Sequence, residues 1–435
     1  MEKQPRILVI TVASWNSKVG SNTWSSLLKN YDSENIANIC IRDEIPDNKI
    51  CSRYFAISEN KVLKSILKRG TKTGREIIPE FAEDNSKDLN AHNERYQKMQ
   101  KNRRYSLLLA RELVWKLGVW KTNELNTFLD SFKPDIILHS MEGYIHLNNI
   151  VEYAIKRTGA KAIGYIWDDN FTYKQSNKIG FNIYRFFQRI SLKRLAKKTS
   201  AFFAISDMTK AEADNFFGID CVVLTKPLSV KPVVNYGEIN LPIKAVYTGN
   251  LMIGRDKTLA RIIKAAEEIN RDEKKRQFDI YSKTVLSDEI KNALNCQYCQ
   301  LHDPIPQNEV LEIQRKSDML LFVEDIDGND SKIARLSFST KITDYLSSGK
   351  CVFAVGCKDT APMQYFIKND AAVIATDDNE IKEKLTMLAN NPDLLVQYAE
   401  KAVSTAKKHD AEYVLKTFNN VITSVVQDSN NIDKG

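Results

Sequence analysis

The chain has 435 residues, of which 43% are hydrophobic and 27% are charged. This composition excludes a disordered or fibrous chain and predicts two or three folded domains at about 150 residues each. No run approaches the roughly 18 apolar residues of a membrane span, and Met1–Pro5 is polar, so neither a transmembrane helix nor a signal peptide is predicted. Seven cysteines, an odd number, are typical of a reducing compartment, so we expect a cytoplasmic protein.

The excess positive charge lies entirely in the N-terminal half. Residues 1–230 contain 36 Lys and Arg against 25 Asp and Glu, a net charge of +11. Residues 231–435 contain 27 against 30, a net charge of −3. This asymmetry favours a nucleic acid, an anionic membrane surface or an anionic substrate as the partner of the first half.

Short apolar runs alternate with helical patterns in the N-terminal half. Residues 6–12 predict a strand, followed by a polar loop over 14–21 that contains Gly20 and by a helix from Thr23. Three later runs predict strands over 134–139, 162–167 and 201–206, with a helix over 147–157. Strands that alternate with helices predict a parallel sheet covered on both faces, so the fold class is α/β.

Prolines interrupt this pattern near residue 230 and predict a domain boundary. We expect one Rossmann-like domain over 1–230, a linker over 231–241 and a second Rossmann-like domain over 242–427, with a disordered tail over 428–435. The second domain repeats the architecture of the first, with strands predicted over 243–247, 278–281, 319–323 and 351–355 and a helix from about Thr258. Residues 379–427 are predicted to be helical.

One segment of the second domain has the composition of an anion site. Ser337, Ser339 and Thr340 can cap a helix whose free backbone N–H groups suit a phosphate, and Lys341 adds a cation. Asp344 follows one turn later and can accept hydrogen bonds from a ribose diol. The alternative is an ordinary capped helix that ends at Gly349 and carries a surface lysine.

This arrangement resembles the GT-B glycosyltransferases, and most closely the retaining family-4 type. Four stretches in the order and spacing of that family carry the resemblance: 204–208, Tyr247–Leu251 with Arg255 and Lys257, Pro306–Phe322, and Ser339–Lys350. The resemblance implies two Rossmann-like domains that face a central cleft, with a nucleotide-sugar donor bound by the second domain. It also implies a reaction that needs neither a metal nor a cofactor.

Residues of the donor site follow from the resemblance. Lys257 and Arg255 would contact the donor diphosphate, and the backbone at Gly249 and Asn250 would approach it. Ser339, Thr340, Lys341 and Asp344 would complete the site. A cation beside the diphosphate would stabilise the departing nucleotide. The alternative is that Arg255 and Lys257 are solvated charges ahead of a helix.

The sequence departs from the family at one acid. The family places two glutamates eight positions apart; the second falls on Asp344, but the first falls on Leu336. The role of the missing acid would pass to Ser337, to Ser339 or to the acidic loop over 324–330. That loop lacks the spacing of a calcium site.

The acceptor would be bound by the first domain. Many relatives end a strand with a His-Asp pair there, and this chain has Trp167 in the histidine position, so Asp168 or Asp169 becomes the candidate catalytic acid. His139 and Glu142, after another strand, and Gly20 are expected to face the same cleft. The alternatives are a capping or turn role for the aspartates and a core role for His139.

The sequence therefore predicts a glycosyltransferase that moves a sugar from a nucleotide sugar to a glycan or a lipid-linked acceptor, in cell-surface polysaccharide or glycolipid assembly. A sugar-nucleotide epimerase and a non-catalytic nucleotide-sugar-binding protein are the alternatives. Nucleic acid is not an expected partner, because no recognition motif accompanies the cations. Zinc is not expected at Cys296, Cys299 and His302, because a second cluster of ligands is missing.

Two basic segments bear on contact with a membrane. Residues 185–198 contain six cations and no acid, and Ile183, Phe186, Phe187 and Ile190 share a helical face. The commonest explanation of that face is packing in the core. Residues 61–69 form a second basic amphipathic pattern. Either segment is also suited to rest on the anionic inner face of a membrane, so we expect peripheral contact there.

Overall fold

The computed structural model describes residues 4–13, 15, 23–42, 46, 49–77, 105–228, 231–234, 236, 239, 241–270, 276–328 and 330–432. The chain divides into two compact units. One comprises residues 1–224 and 416–435, and the other comprises residues 225–415.

The first unit is built on an eight-stranded sheet among its described residues. The strand order is β4-β3-β2-β1-β5-β6-β7-β8, and every neighbouring pair is parallel except β3 and β4. The strands are β1 Ile7–Thr11, β2 Ile36–Cys40, β3 Arg53–Ile57, β4 Gly74–Ile77, β5 Ile136–Ser140, β6 Lys161–Ile166, β7 Ala201–Ala204 and β8 Val222–Val223. The helices are α1 Thr23–Leu28, α2 Glu59–Leu67, α3 Tyr105–Leu117, α4 Asn123–Phe132, α5 Ile145–Thr158, α6 Ile179–Ala196 and α7 Asp207–Phe217.

The second unit carries a six-stranded parallel sheet in the order β11-β10-β9-β12-β13-β14. Its strands are β9 Ile243–Thr248, β10 Arg276–Tyr281, β11 Cys299–His302, β12 Met319–Val323, β13 Cys351–Val355 and β14 Val373–Ala375. Its helices are α8 Arg255–Ile269, α9 Asp288–Ala293, α10 Gln307–Lys316, α11 Ser331–Ala334, α12 Lys341–Ser347, α13 Ala361–Asn369, α14 Asp378–Asn390 and α15 Asp393–Ala406. The last helix, α16, spans Ala411–Ile432.

The central strands are buried on both faces, as parallel strands between helical layers must be. Every residue of β1, β5, β12 and β13 is buried. The α/β class and the strands predicted from apolar runs are therefore confirmed. Strand β2 went unpredicted because Asn38 interrupts its apolar run, although Asn38 is fully buried and donates to the Val9 carbonyl at 3.0 Å.

The boundaries of the units differ from the predicted domains. The second unit begins at Thr225 rather than after a linker over 231–241, and residues from Lys416 on belong to the first unit. The predicted disorder of residues 428–435 is wrong for its first part, because the helix continues to Ile432. Residues 433–435 lie outside the described residues.

None of the helices in the described ranges combines the length and the apolar character that crossing a membrane requires.

Candidate functional site

Neighbouring strands of the second sheet bring the candidate donor site together. Strands β9 and β12 are parallel and paired, so both carboxyl ends lie at one edge of the sheet. Gly249 directly follows β9, and Glu324 directly follows β12. Ligands of α/β proteins collect at this kind of edge. The residues that line a pocket here are Tyr247, Arg255, Leu321, Phe322, Val323, Glu324, Ser339, Lys341 and Tyr345.

Arg255 is held at the first turn of α8 by two acceptors. Its Nε and Nη2 donate to the two carboxylate oxygens of Glu324 at 3.0 and 2.9 Å. Its Nη1 donates to Asn250 Oδ1 at 2.9 Å. A bidentate pair of this kind fixes the plane of the guanidinium. Arg255 therefore lines the pocket in a set orientation.

Lys341 brings a second cation into the same pocket. Its Nζ lies 4.8 Å from the centre of the Tyr247 ring. Burial of the ammonium, together with the nearby charge of Arg255, lowers the pKa of Lys341 to about 7. An anion in the pocket would favour the protonated form, because an opposite charge within a few ångströms reverses this shift.

Gly249 lies directly against the end of the Lys341 side chain. Its φ is +138°, and a Cβ at this position would collide with Lys341 Nζ. The Gly249 N–H already donates to the Tyr281 carbonyl at 3.0 Å. The glycine thus gives room to the lysine, and its own N–H is engaged within the sheet edge rather than left for a phosphate.

The predicted helix start is present but short. Helix α12 begins at Lys341 and has seven residues; Thr340 is its N-cap without a side-chain cap hydrogen bond. Ser339 Oγ accepts from the Lys341 N–H at 3.4 Å. The helix ends where Gly349 adopts a φ of +79°. The residues that this segment contributes to the pocket are Ser339, Lys341 and Tyr345.

Asp344 is held by a lysine from the start of the second unit. Lys226 Nζ lies 3.0 and 3.3 Å from the two carboxylate oxygens of Asp344. Lys226 is 8% exposed. A hydroxyl that binds Asp344 would therefore meet a carboxylate whose position is already fixed.

The position of the missing family acid is filled by core packing. Leu336 is fully buried. Of the acidic loop proposed to replace it, Glu324 lies in the pocket, whereas Asp325 accepts the N–H groups of Asp330 and Ser331 at 2.8 and 3.0 Å. Asp325 therefore organises the loop, and Glu324 is the acid beside the two cations.

Lys257 is not brought into the pocket. It lies in the first turn of α8, two residues after Arg255, and its side chain is exposed. Because successive helical residues are about 100° apart, Arg255 and Lys257 point to different sides of the helix. Of the two predicted phosphate cations in this stretch, the structure places only Arg255 in the site.

A second cluster lies at the carboxyl edge of the first sheet. Glu142 and Asp168 follow the paired parallel strands β5 and β6 by two residues each. Burial, and next the charge of Asp168, raise the pKa of Glu142 to about 7, while Trp167 and Arg42 act in the opposite direction. The Trp167 ring packs 5.1 Å from Tyr165 and 6.1 Å from Trp24. Burial and the charge of Asp168 thus make Glu142 hold its proton more tightly than an ordinary glutamate does.

Two first-domain candidates have structural roles instead. The Asp169 carboxylate accepts from the Thr172 N–H at 2.9 Å and from the Thr172 hydroxyl, which is a turn-capping role. His139 is fully buried within β5, and its Nε2 lies 3.2 Å from Thr199 Oγ1. The expectation that His139 faces a cleft is wrong, since a side chain with no exposed surface in the sheet cannot touch an acceptor. Gly20 lies outside the described residues.

Within the described ranges, no three His, Cys, Asp or Glu side chains are grouped so that they could hold a metal ion. Cys296 and Cys299 pair through their backbones in a tight turn, and His302 Nε2 instead contacts Asp279 at 2.7 Å.

Comparison with known proteins identifies this architecture. Residues 257–420 match the family model described as glycosyl transferase-like. A sucrose-phosphate synthase from Thermosynechococcus elongatus has a TM-score of 0.62 at 9% identity, covering 98% of this chain and 100% of that one. An α,α-trehalose 6-phosphate synthase from Burkholderia multivorans has a TM-score of 0.60 at 11% identity, covering 100% and 99%. The chain has the fold of the GT-B glycosyltransferases.

A smaller overlap relates this GT-B chain to the pneumococcal O-GlcNAc transferase GtfA, whose structure contains UDP and GlcNAc. The TM-score is 0.51 at 15% identity, over 70% of this chain and 60% of that one. A sequence search of curated proteins finds no match. The resemblance stated from the four sequence stretches is thus confirmed at the level of fold.

Three residues in or near the pocket of this GT-B fold were not predicted as individual site residues. Lys226 lies within the predicted first domain, Tyr247 ends a predicted strand, and Glu324 is one of several acids in a predicted loop. A signal for Glu324 was available, because it directly follows a strand whose five residues are all apolar. For Lys226 no local pattern indicates that its partner lies 118 positions away.

Proposed function

We propose that the chain is a glycosyltransferase that takes a sugar from a nucleotide-sugar donor bound at the pocket of the second unit. The observation that carries the proposal is the pair of cations, Arg255 and Lys341, at the carboxyl edge beside β9 and β12. The leaving group of such a transfer is a nucleoside diphosphate, which gains negative charge as the glycosidic bond to the sugar breaks. Two cations in the pocket would stabilise that charge, which is the role a metal has in other enzymes. The transferase is therefore proposed to work without a metal.

The ribose and the sugar have separate candidate partners. Asp344, fixed by Lys226, suits the ribose diol, since a carboxylate accepts two hydrogen bonds at once. Ser339 and Glu324, which line the pocket with Arg255 and Lys341, are the candidate partners of the sugar. Retention of the anomeric configuration is proposed from the resemblance to the family-4 type.

The acceptor is proposed to bind at the first unit, with Asp168 and Glu142 as the groups that hold or deprotonate its hydroxyl. Of this pair, the carboxyl with the raised pKa is near the pH at which a general base works best. We include a glycan or lipid-linked acceptor and a place in cell-surface polysaccharide or glycolipid assembly in the proposal. A lipid-linked acceptor would bring the enzyme to a membrane surface.

Calorimetric titration of UDP, GDP, ADP and their sugar conjugates tests the donor site. We expect one nucleotide class to bind, and Lys341→Met to weaken it by about a hundredfold, since it removes a charge-assisted contact in a buried pocket. Asp344→Asn should weaken it by about tenfold. Lys264→Ala, on the exposed side of the same helix as Arg255, is the matched control. Unchanged binding in both pocket variants would remove this donor site.

A second candidate is a protein that binds the donor and does not transfer the sugar. It is favoured by two observations: Leu336 occupies the position of a family acid and is fully buried, and Trp167 replaces a histidine. Release of nucleoside diphosphate from the bound sugar nucleotide, measured with a mixture of glycan and lipid-linked acceptors, separates the two. Tight donor binding with no release in any mixture would favour the binding protein, and a sugar epimer formed without acceptor would indicate an epimerase.

A further inference from the structure

The apolar face of α6, which the sequence predicts to pack in the core, is exposed to solvent. Ile183, Phe186, Phe187 and Ile190 are 48%, 54%, 46% and 49% exposed, and Ile179 is 79% exposed. The prediction that this face packs in the core is therefore wrong. These five side chains form one continuous apolar surface, which a monomer rarely leaves uncovered.

Hydrogen bonds on the inner side explain this orientation. Gln188 Nε2 donates to the Gly143 carbonyl at 2.5 Å, and Arg185 Nη1 donates to the Asp169 carbonyl at 3.2 Å. Ser191 Oγ accepts from Asn148 at 3.2 Å. Turning the apolar face inward would break all three bonds and leave buried polar groups without partners. The exposure is thus a fixed feature of the unit.

Toward the C-terminal end of α6, the same side of the helix carries lysines instead of apolar side chains. Positions 179, 183, 186 and 190 are spaced by three and four, and the same spacing continues to Lys193 and Lys197, which are both exposed. No acidic residue occurs between Asp169 and Asp207. Farther round the helix, Arg194 and Lys198 share Glu152. The outward line therefore carries net positive charge.

A neighbouring helix extends the apolar area. Tyr105 at the start of α3 packs on Phe181 of α6, with ring centres 5.7 Å apart. Leu107, Leu113 and Leu117 of α3 are 55%, 53% and 60% exposed. Two packed helices of the first unit therefore expose large apolar side chains.

We propose that the outward face of α6, from Ile179 to Lys197, docks on an anionic lipid bilayer. Apolar side chains next to cations match the boundary between acyl chains and anionic headgroups. A second copy of the chain fits less well, because a symmetric contact would bring two cationic surfaces together, and residues 1–230 already have a net charge of +11. The inner side of the same helix holds the backbone at Gly143 and Asp169, next to Glu142 and Asp168. Docking would thus place the proposed acceptor residues, Glu142 and Asp168, close to a lipid surface. The docking itself does not depend on the proposed function; only the identity of the acceptor rests on it.

Sedimentation of the full chain with phosphatidylcholine vesicles, with and without phosphatidylglycerol, tests the docking. We expect binding that requires the anionic lipid and falls with added salt. The triple variant Ile183→Ser/Phe186→Ser/Ile190→Ser should bind at least about tenfold more weakly, because it removes buried apolar area. Lys193→Gln/Lys197→Gln should lose about fivefold for each charge removed. Val285→Ser, at a side chain of the second unit that is 88% exposed, is the matched control and should bind as the original chain does.

Two further measurements keep the outcomes distinct. Circular dichroism and urea denaturation report whether each variant is folded, and nucleotide binding without lipid reports separately on the proposed donor pocket, whose residues lie in the second unit. Vesicle binding without nucleotide binding would leave the docking standing and remove the donor proposal. Equal vesicle binding by the original chain and the triple variant, or none by the original chain, would overturn the docking. A dimer in light scattering that the triple variant abolishes, without vesicle binding, would assign the face to a second copy.

Discussion

The two units carry side chains of opposite charge at the carboxyl edges of their parallel sheets. At the carboxyl edge of the second sheet, Arg255 and Lys341 approach each other and the pKa of the lysine falls to about 7. At the carboxyl edge of the first sheet, Glu142 and Asp168 approach each other and the pKa of the glutamate rises to about 7. Both shifts have the same two causes, burial and a nearby like charge. Parallel strands thus supply the position in both units, and the segments that follow them bring cations to one edge and carboxylates to the other.

Glu324 is the acid within the cationic edge, and its removal should have the largest effect on stability. The Arg255 and Glu324 side chains are 15% and 7% exposed. Glu324→Ala leaves two uncompensated cations, so we expect the free energy of unfolding to fall by about 3 kcal/mol, measured by urea denaturation. Glu268→Ala breaks an exposed pair with Lys382 and should cost about 0.5 kcal/mol. Equal losses in the two variants would mean that the cationic edge is no more sensitive than the surface.

Gly249 tests whether the cationic edge depends on backbone room. Gly249→Ala places a Cβ against Lys341 and keeps a φ of +138°, which L residues rarely adopt. We expect a cost of about 2 kcal/mol from the strained backbone and a loss of nucleotide affinity from the displaced lysine. Gly218→Ala also has a positive φ, +70°, but meets nothing within 4 Å. The nucleotide affinity of Gly218→Ala should stay unchanged. If Gly218→Ala lost as much affinity as Gly249→Ala, the loss would not be due to displacement of Lys341.

The pH dependence of donor binding sharpens the comparison. Lys341 is charged below its pKa of about 7 and neutral above it, and the donor diphosphate favours the charged form. Affinity for the sugar nucleotide should therefore fall as pH rises above 7, approaching about tenfold per pH unit. Lys341→Arg should flatten the profile, because a guanidinium stays charged. A flat profile for the original chain would contradict this assignment.

At the edge that carries the carboxylates, the raised pKa of Glu142 should make the stability of the fold depend on pH. Its pKa is raised in the folded chain, so the folded state binds more protons than the unfolded state between the ordinary pKa of a glutamate and about 7. Stability should fall as pH rises through that window. At pH 8, the free energy of unfolding of Glu142→Gln, measured by urea denaturation, should therefore exceed that of the original chain by on the order of 1 kcal/mol. Near pH 4 the two free energies should be equal. The exposed Glu34→Gln in the same unit should show no such difference.

The sequence predicts these two edges unequally. Apolar runs predict the central strands, and strand ends then favour Glu142 and Asp168. Lys341 follows from the hydroxyl-rich start of a predicted helix, and Arg255 follows from the resemblance to the GT-B glycosyltransferases. Pairings between distant segments were not predictable: nothing near Lys226 indicates Asp344. Orientation was also missed, since the apolar stripe of α6 predicts packing. The opposite side of the helix is buried instead, with the apolar Phe181, Leu192 and Leu195 beside the hydrogen-bonded Gln188 and Arg185.

Lys257 gives the smallest expected effect and separates the family pattern from the observed pocket. The resemblance assigns Lys257 to the diphosphate, yet its side chain is exposed and points away from Arg255 on the same helix. Lys257→Ala should therefore change nucleotide affinity less than about twofold, the size expected of a distant surface charge. A loss comparable with that of Lys341→Met would mean that donor binding moves the first turn of α8 so that Lys257 enters the pocket. The cationic edge would then have three cations when occupied, and its difference from the acidic edge would depend on the bound state rather than on the strand ends alone.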